Sequence, residues 1–133
     1  MSPSADEIRR RNVAAVEALY DAERRRNLDD WARLWHPAGR QSFHLSKDVS
    51  PVLGREALVR ATRRKFKVRP PYGIDVATEP FADASRVLAR LHLTFGEGIR
   101  PIDIWCIFAF DDTGLILEIE EMVDTANAYR MPE

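Results

Sequence analysis

The second half of the chain alternates between apolar and polar residues, as β-strands do when they bury one face. The alternation is clear over residues 86–95 and again from Leu117 to Asp124, and it is weaker over residues 73–81. Residues 101–110 are almost continuously apolar, which predicts a strand with both faces covered. This half of the chain therefore predicts four consecutive strands with short connections.

Helical spacing of apolar residues marks three segments before these strands. They cover residues 4–26, 27–36 and 55–66. Ser4 and Glu7 form a capping box that opens the first helix. Asn27 caps the second helix, whose apolar face extends to Trp35 before Pro37 ends it. The first half of the chain is therefore predicted to be mainly helical.

Residues 40–45 have strand character, and residues 46–54 are predicted to be a loop. The resulting order of elements is typical of an α+β fold, with helices packed on one face of an antiparallel sheet. We expect three N-terminal helices on a strongly curved, mostly antiparallel sheet that forms a cone with an internal pocket. A chain of 133 residues suffices for one core but not for two, so residues 1–133 are expected to be a single domain.

One residue of the last strand breaks its pattern. Glu121 falls on the apolar side of the strand, together with Leu117, Ile119 and Val123. Removing a carboxylate from water costs free energy unless the group is paired, hydrogen-bonded or protonated. We expect Glu121 to face the pocket, where burial would raise its pKa and fit it for proton exchange near neutral pH. The alternatives are a structural ion pair and a solvated strand end.

Composition and charge exclude several classes of protein. The formal net charge is −1, so no overall field favours nucleic acid or an anionic membrane. No segment is apolar enough to span a membrane, and MSPSADEIRR is not a secretory signal, so a cytoplasmic location is expected. Cys106 is the single cysteine, which excludes an intrachain disulfide. The histidines show no metal-ligand spacing and no phosphate loop is present, so neither a metal nor a cofactor is expected.

Three strings of the sequence carry a resemblance to a known superfamily. They are VEALYDAERRRNLDDWARLWHP, VLGREALV and FAFDDTGLILEIEEMVD. In these strings and in element order, the chain resembles the nuclear transport factor 2-like superfamily, which includes SnoaL-like cyclases, phenazine-biosynthesis proteins and ketosteroid isomerases. In several of these families a catalytic carboxylate follows the hairpin glycine by seven residues. Counted from Gly114, that position is Glu121, so the resemblance implies a catalytic role for this residue.

Arg90 and His92 share the polar face of the strand at 86–95. Their spacing resembles the Arg-x-Asp pair of limonene epoxide hydrolase, with His92 in place of the aspartate, which argues against epoxide opening. If this face lines the pocket, His92 would be the partner acid or base of Glu121, and Arg90 would hold an oxyanion or a substrate carboxylate. The alternatives are a solvated face and a dimer interface, because a one-residue change of register reverses the faces.

The leading hypothesis is a cofactor-independent enzyme that isomerises, cyclises or dehydrates a small apolar metabolite with Glu121 as its acid–base group. The expected substrate-binding residues are Tyr20, Trp35, Phe43, His44 and Phe108. Asp124, at the strand's end, would support Glu121, and the protein is expected to form a homodimer. The alternative is a non-catalytic small-molecule-binding or dimerisation module. Two or more titratable groups that converge in the pocket would favour the enzyme.

Overall fold

The chain forms three helices and six strands within the residues that the computed structural model describes, 2–44 and 49–123. They are α1 (Ala5–Arg25), α2 (Leu28–Arg33), β1 (Trp35–Phe43), β2 (Val52–Leu53), α3 (Arg55–Val68), β3 (Gly73–Pro80), β4 (Arg86–Thr94), β5 (Ile102–Phe110) and β6 (Ile116–Val123). The α+β class predicted from the sequence is confirmed. None of the helices in the described ranges is long and apolar enough to cross a membrane.

The two predicted helix caps are present. The Ser4 hydroxyl accepts a hydrogen bond from the backbone N–H of Glu7, and the Asn27 side chain accepts one from a backbone N–H in the first turn of α2. The prediction that the second helix reaches Trp35 is wrong. Trp35 is the first residue of β1, because the chain after α2 pairs with β6 and gains sheet hydrogen bonds there.

The six strands form one sheet in the order β2-β1-β6-β5-β4-β3. β1 and β6 are parallel and every other pair is antiparallel, as the prediction of a mostly antiparallel sheet requires. The predicted loop at 46–54 contains β2, a two-residue strand that pairs with β1 at the sheet edge. Leu45, the last residue of the strand predicted at 40–45, lies outside the described residues.

The core lies between the helices and the face of the sheet that they cover, here called the inward face. It contains apolar residues from α1, α2 and α3 together with alternate residues of β3 to β6. The prediction that both faces of β5 are covered is wrong. Asp103 and Trp105 lie on the opposite, outward face, and Trp105 is 51% exposed. The apolar run in β5 therefore supplies more apolar surface than the single chain buries.

The β5–β6 hairpin determines which residues of β6 face inward. Asp111 accepts hydrogen bonds at the turn, and Gly114 has a φ of 92°, a conformation that glycine adopts without strain. A register shift follows, so Ile116 pairs with Phe110 and is fully buried, while Leu117 is the extra residue of a bulge. The prediction that Leu117 faces inward is therefore wrong, since Ile116 takes that position. From Glu118 onward the strand alternates regularly.

Candidate functional site

A cavity of about 230 Å³ lies between the helices and the inward face of the sheet. Most of its wall is apolar, with leucine and isoleucine side chains from α1, α3, β4, β5 and β6. Its titratable lining residues are Tyr20, Glu23, Lys65, Arg69, Tyr72 and Glu121. The cavity therefore combines an apolar wall with several groups that can exchange or stabilise protons.

Glu121 reaches this cavity because of its position in the sheet. It lies in β6 between Phe43 of β1 and Cys106 of β5, and Glu121 and Phe43 both line the cavity. Asp124, which was expected to support it, lies outside the described residues. Among the residues that are described, no side chain donates a hydrogen bond to the Glu121 carboxylate. The carboxylate is thus available to a ligand.

The surroundings of Glu121 favour its protonated form. Burial raises the pKa of its carboxyl group, and the charge of Glu23 raises it further. The positive charges of Lys65 and Arg69 oppose this, with Lys65 the stronger of the two. Desolvation is the largest of these influences, so the pKa of Glu121 lies above its ordinary value.

A second carboxylate lies in the same cavity. Glu23, in the last turn of α1, accepts a hydrogen bond of 2.8 Å from the Tyr72 hydroxyl and one of 3.3 Å from Lys65 Nζ. Glu23 is only 9% exposed. The burial of Tyr72 raises the pKa of its phenol, and the negative charge of Glu23 raises it further. The sequence contains a signal for it, since Glu23 follows Leu19 and Tyr20 at helical spacing and so falls on the apolar face of α1.

Tyr20 and Cys106 form a third polar contact beside Glu121. The Tyr20 hydroxyl and the Cys106 thiol influence each other's pKa, and the Tyr20 ring packs edge-on against Phe108 at 6.0 Å between centroids. Burial raises the pKa of both groups, and the charge of Glu121 adds to the effect on Cys106. The thiol therefore stays protonated and is a poor nucleophile, as is usual for a buried cysteine.

Arg90 and His92 do not share the cavity with Glu121, so the prediction that the three residues meet is wrong. Arg90 forms an ion pair with Glu79 at 3.0 Å, and His92 Nδ1 lies 2.7 Å from Asp103 Oδ1. Both residues line a broad, exposed groove of about 670 Å³ on the outward face. The helices cover the apolar face of β4, because that face carries its valine and leucine side chains.

Three of the five expected substrate-binding residues also lie away from the cavity. Trp35 and Phe108 are fully buried in the core, where Trp35 packs against Trp31 at 5.6 Å between ring centroids. His44 is exposed just after β1, and its Nε2 lies 3.0 Å from Glu120. Packing explains the first two, since large aromatic side chains fill a core more often than they line a site. The prediction that Trp35, Phe108 and His44 line the cavity is therefore wrong.

Within the described part of the chain, no group of three or more His, Cys, Asp or Glu residues is arranged to hold a metal ion. The polar groups that line the cavity include two carboxylates and two phenols, together with cationic side chains. Such a set suits hydrogen bonding and proton transfer to an organic ligand.

Three helices on one face of a mixed sheet are the arrangement of the nuclear transport factor 2-like superfamily. Within that superfamily the chain belongs to the SnoaL-like domain family, whose model matches residues 16–119. The resemblance identified in the sequence is thereby confirmed. No functionally curated protein matches the sequence significantly.

Solved structures show the same fold at low sequence identity. A candidate SnoaL-like polyketide cyclase from Jannaschia sp. CCS1 is 19% identical, with a TM-score of 0.74 and coverage of 95% of this chain and 92% of the other. A phenazine biosynthesis-related protein from Pseudomonas aeruginosa is 16% identical, with a TM-score of 0.74 and coverage of 97% and 92%. The epoxide hydrolase/cyclase-like enzyme SalBIII, which acts in pyran ring formation in salinomycin, is 11% identical, with a TM-score of 0.76 and coverage of 93% and 97%. These likenesses establish the fold alone.

Proposed function

We propose that this protein is a cofactor-independent enzyme that isomerises, cyclises or dehydrates a small, largely apolar metabolite, with Glu121 as its acid–base group. The observation that carries the proposal is the Glu121 carboxyl group, which lines a cavity with both apolar and titratable walls and has its pKa raised by burial. A raised pKa brings a carboxyl group closer to the pH range in which enzymes use such groups as general acids and bases. Membership of the SnoaL-like family supports the proposal, because cyclase-like and isomerase-like proteins share this fold.

The proposed chemistry is a proton transfer that needs no other reactant. The ionised Glu121 carboxylate takes a proton from a carbon atom next to a carbonyl group of the substrate. The electron pair of the broken C–H bond moves toward the carbonyl oxygen, which becomes an enolate oxygen. The protonated carboxyl group then returns the proton to a different atom, which completes an isomerisation, or to a leaving group, which completes a dehydration.

The content of the cavity favours an enzyme over a passive binding site. Tyr20, Glu23, Lys65 and Tyr72 line the same space as Glu121, so several titratable groups face one ligand. We expect the curved sheet and the helices to enclose this space as a cone. A volume of about 230 Å³ lies below the range of about 300–1,000 Å³ that is usual for drug-sized ligands, so we expect a substrate with a single ring.

A non-catalytic small-molecule-binding module is the second candidate. It is favoured by the outward position of Arg90 and His92, which removes both predicted catalytic partners from the cavity. In this alternative, Glu121 would anchor a ligand by a hydrogen bond and no bond of the ligand would change.

Hydrogen–deuterium exchange distinguishes the two candidates before the substrate is known. A panel of single-ring ketones and enones is incubated in D₂O with the wild type, Glu121→Gln and the matched control Glu120→Gln, whose side chain pairs with His44 outside the cavity. Proton NMR then follows deuterium incorporation next to each carbonyl group. We expect exchange with the wild type and the control, and a loss of about 10²- to 10⁴-fold with Glu121→Gln. Ligand-induced shifts without exchange, or equal exchange in all three proteins, would favour the binding module.

A further inference from the structure

We propose that Lys65, held in place by Glu23 and Tyr72, forms a subsite in the cavity for an anionic oxygen on a small planar ring. The inference rests on the proposed function in one respect, because an enolate oxygen is what forms when Glu121 removes a proton. A phenolate or a ring-bound carboxylate presents the same chemistry to the subsite. The three residues come from α1, from α3 and from the segment before β3.

Lys65 is placed to donate into the cavity. Its Nζ contacts Glu23 Oε2 at 3.3 Å, and the Lys65 and Glu23 side chains are 31% and 10% exposed. An ammonium group has three N–H donors, and the contact with Glu23 occupies one of them. Within residues 2–44 and 49–123, no other side chain accepts a hydrogen bond from Nζ. The remaining donors are therefore available to an acceptor on a ligand.

Glu23 and Tyr72 fix the position of this ammonium group. The Lys65 ammonium group and the Tyr72 hydroxyl both donate to Glu23 Oε2, the hydroxyl at 2.8 Å. The Tyr72 ring itself contacts the ring of Phe95, at 5.7 Å between centroids, and the guanidinium of Arg26, at 5.7 Å from the ring centroid. A donor held in advance by such contacts stabilises developing charge without having to reorganise when the charge appears.

The charges around Lys65 suit a reaction that moves a negative charge across the cavity. Lys65 and Glu121 line the same cavity, and Lys65 is the strongest of the positive charges that act on Glu121. When Glu121 takes a proton it becomes neutral, and the negative charge passes to the oxygen of the ligand. Besides the Glu23 carboxylate, an ammonium group close to both positions then faces one negative charge before the transfer and one after it. Lys65 therefore stabilises the anion as it forms and would act as a catalytic residue.

The test uses 4-nitrophenol, a single-ring probe whose phenolate absorbs visible light and whose neutral form does not. The probe is titrated with protein in a buffer below its own pKa, so that visible absorbance reports phenolate that is bound. We expect the wild type to bind phenolate and Lys65→Met to bind it about 10- to 100-fold more weakly. Lys65→Arg should restore part of the binding. Lys67→Met, an exposed lysine on the same helix, is the matched control and should resemble the wild type.

Two charge-removing variants sharpen the test. Glu23→Gln keeps an oxygen that accepts from Lys65 and Tyr72 but removes a negative charge, so phenolate should bind more tightly. Glu121→Gln should have the same effect, because its neutral amide no longer repels the anion. Lys65→Gln serves as a second variant if Lys65→Met fails to fold, as judged by circular dichroism.

Several outcomes would overturn the inference. They are undiminished phenolate binding by the folded Lys65 variants, binding of the neutral phenol alone, and no binding by the wild type at millimolar probe. Each of these can occur while Glu121→Gln still abolishes deuterium exchange, which would leave the proposed function in place. Conversely, phenolate binding that depends on Lys65, with no exchange that depends on Glu121, would leave the subsite and remove the reaction.

Discussion

The hydrogen bond from Tyr72 to Glu23 can be deleted with almost no change of shape, by Tyr72→Phe. Hydrogen bonds to charged groups contribute about 1.5–3 kcal/mol to stability. Because Tyr72 is only partly buried, we expect the lower part of this range, about 1.5–2 kcal/mol. The entropy of unfolding is about 2.1 cal/mol/K per residue, so over 133 residues each 1 kcal/mol lowers the melting temperature by about 3.5 °C. The expected decrease in Tm is therefore about 5–7 °C.

Calorimetry and urea unfolding measure this loss, and Tyr20→Phe is the matched control. Tyr20 is more deeply buried than Tyr72, but the group beside its hydroxyl is the neutral Cys106 thiol, which is at most a weak acceptor. We therefore expect Tyr20→Phe to cost less, below about 1 kcal/mol. A cost for Tyr20→Phe that equals or exceeds that of Tyr72→Phe would refute the reasoning, because burial rather than the charge of Glu23 would then set the energy. A double-mutant cycle with Glu23→Gln should show coupling between Tyr72 and Glu23.

Four further predictions concern other parts of the molecule. The raised pKa of Glu121 means that the folded protein binds more protons than the unfolded chain between the two pKa values, so wild-type stability falls as pH rises through this interval. Glu121→Gln should remove that fall, as measured by urea unfolding across pH. Above the interval the variant should be the more stable protein, by about 1.4 kcal/mol for each unit by which folding raises the pKa of Glu121. An unchanged slope would show that Glu121 is solvated. Gly114→Ala should cost about 1–2 kcal/mol because φ is 92°, whereas Gly96→Ala, with open space around it, should cost little; equal melting temperatures of the two variants would contradict this. Arg26→Gln should cost about 1–3 kcal/mol and speed amide exchange in the last turn of α3, because the guanidinium binds two backbone carbonyls there; protected amides in the variant would argue against it. Trp105→Glu should weaken the expected homodimer in analytical ultracentrifugation, because Trp105 is a half-exposed aromatic residue on the outward face; a wild type that is monomeric at all concentrations would remove that expectation.

The helices and strands were predictable where local chemistry decides them. Ser4 and Asn27 supply capping oxygens, and their helices begin where these residues predict. Alternation predicted the strands and identified Glu121 as a carboxylate on an apolar face. Glu23 carries the same signal in helical form, a carboxylate at the spacing of a buried face, and it was open to the same reasoning.

The outward position of Arg90 and His92 was predictable from β4 itself. Its pattern puts them opposite the valine and leucine face, and the hydrophobic effect places that apolar face against the helices. The role of Tyr72 was not predictable, because its partner Glu23 lies 49 residues away in the sequence. Contacts of this kind depend on how the elements pack and leave no local pattern.

The parallel pairing of β1 with β6 has a consequence for the order of folding. It joins segments that are far apart in the chain, as the ion pair between Arg40 and Glu118, 78 residues apart, illustrates. Contacts of such long range form slowly, whereas the β3–β4–β5 meander needs only neighbouring segments. Phe43 and Glu121 are partners in the parallel pair, so the cavity is complete only once both halves of the chain have come together. A ligand of this cavity therefore binds only the fully folded protein. It stabilises the folded state without accelerating the early steps of folding.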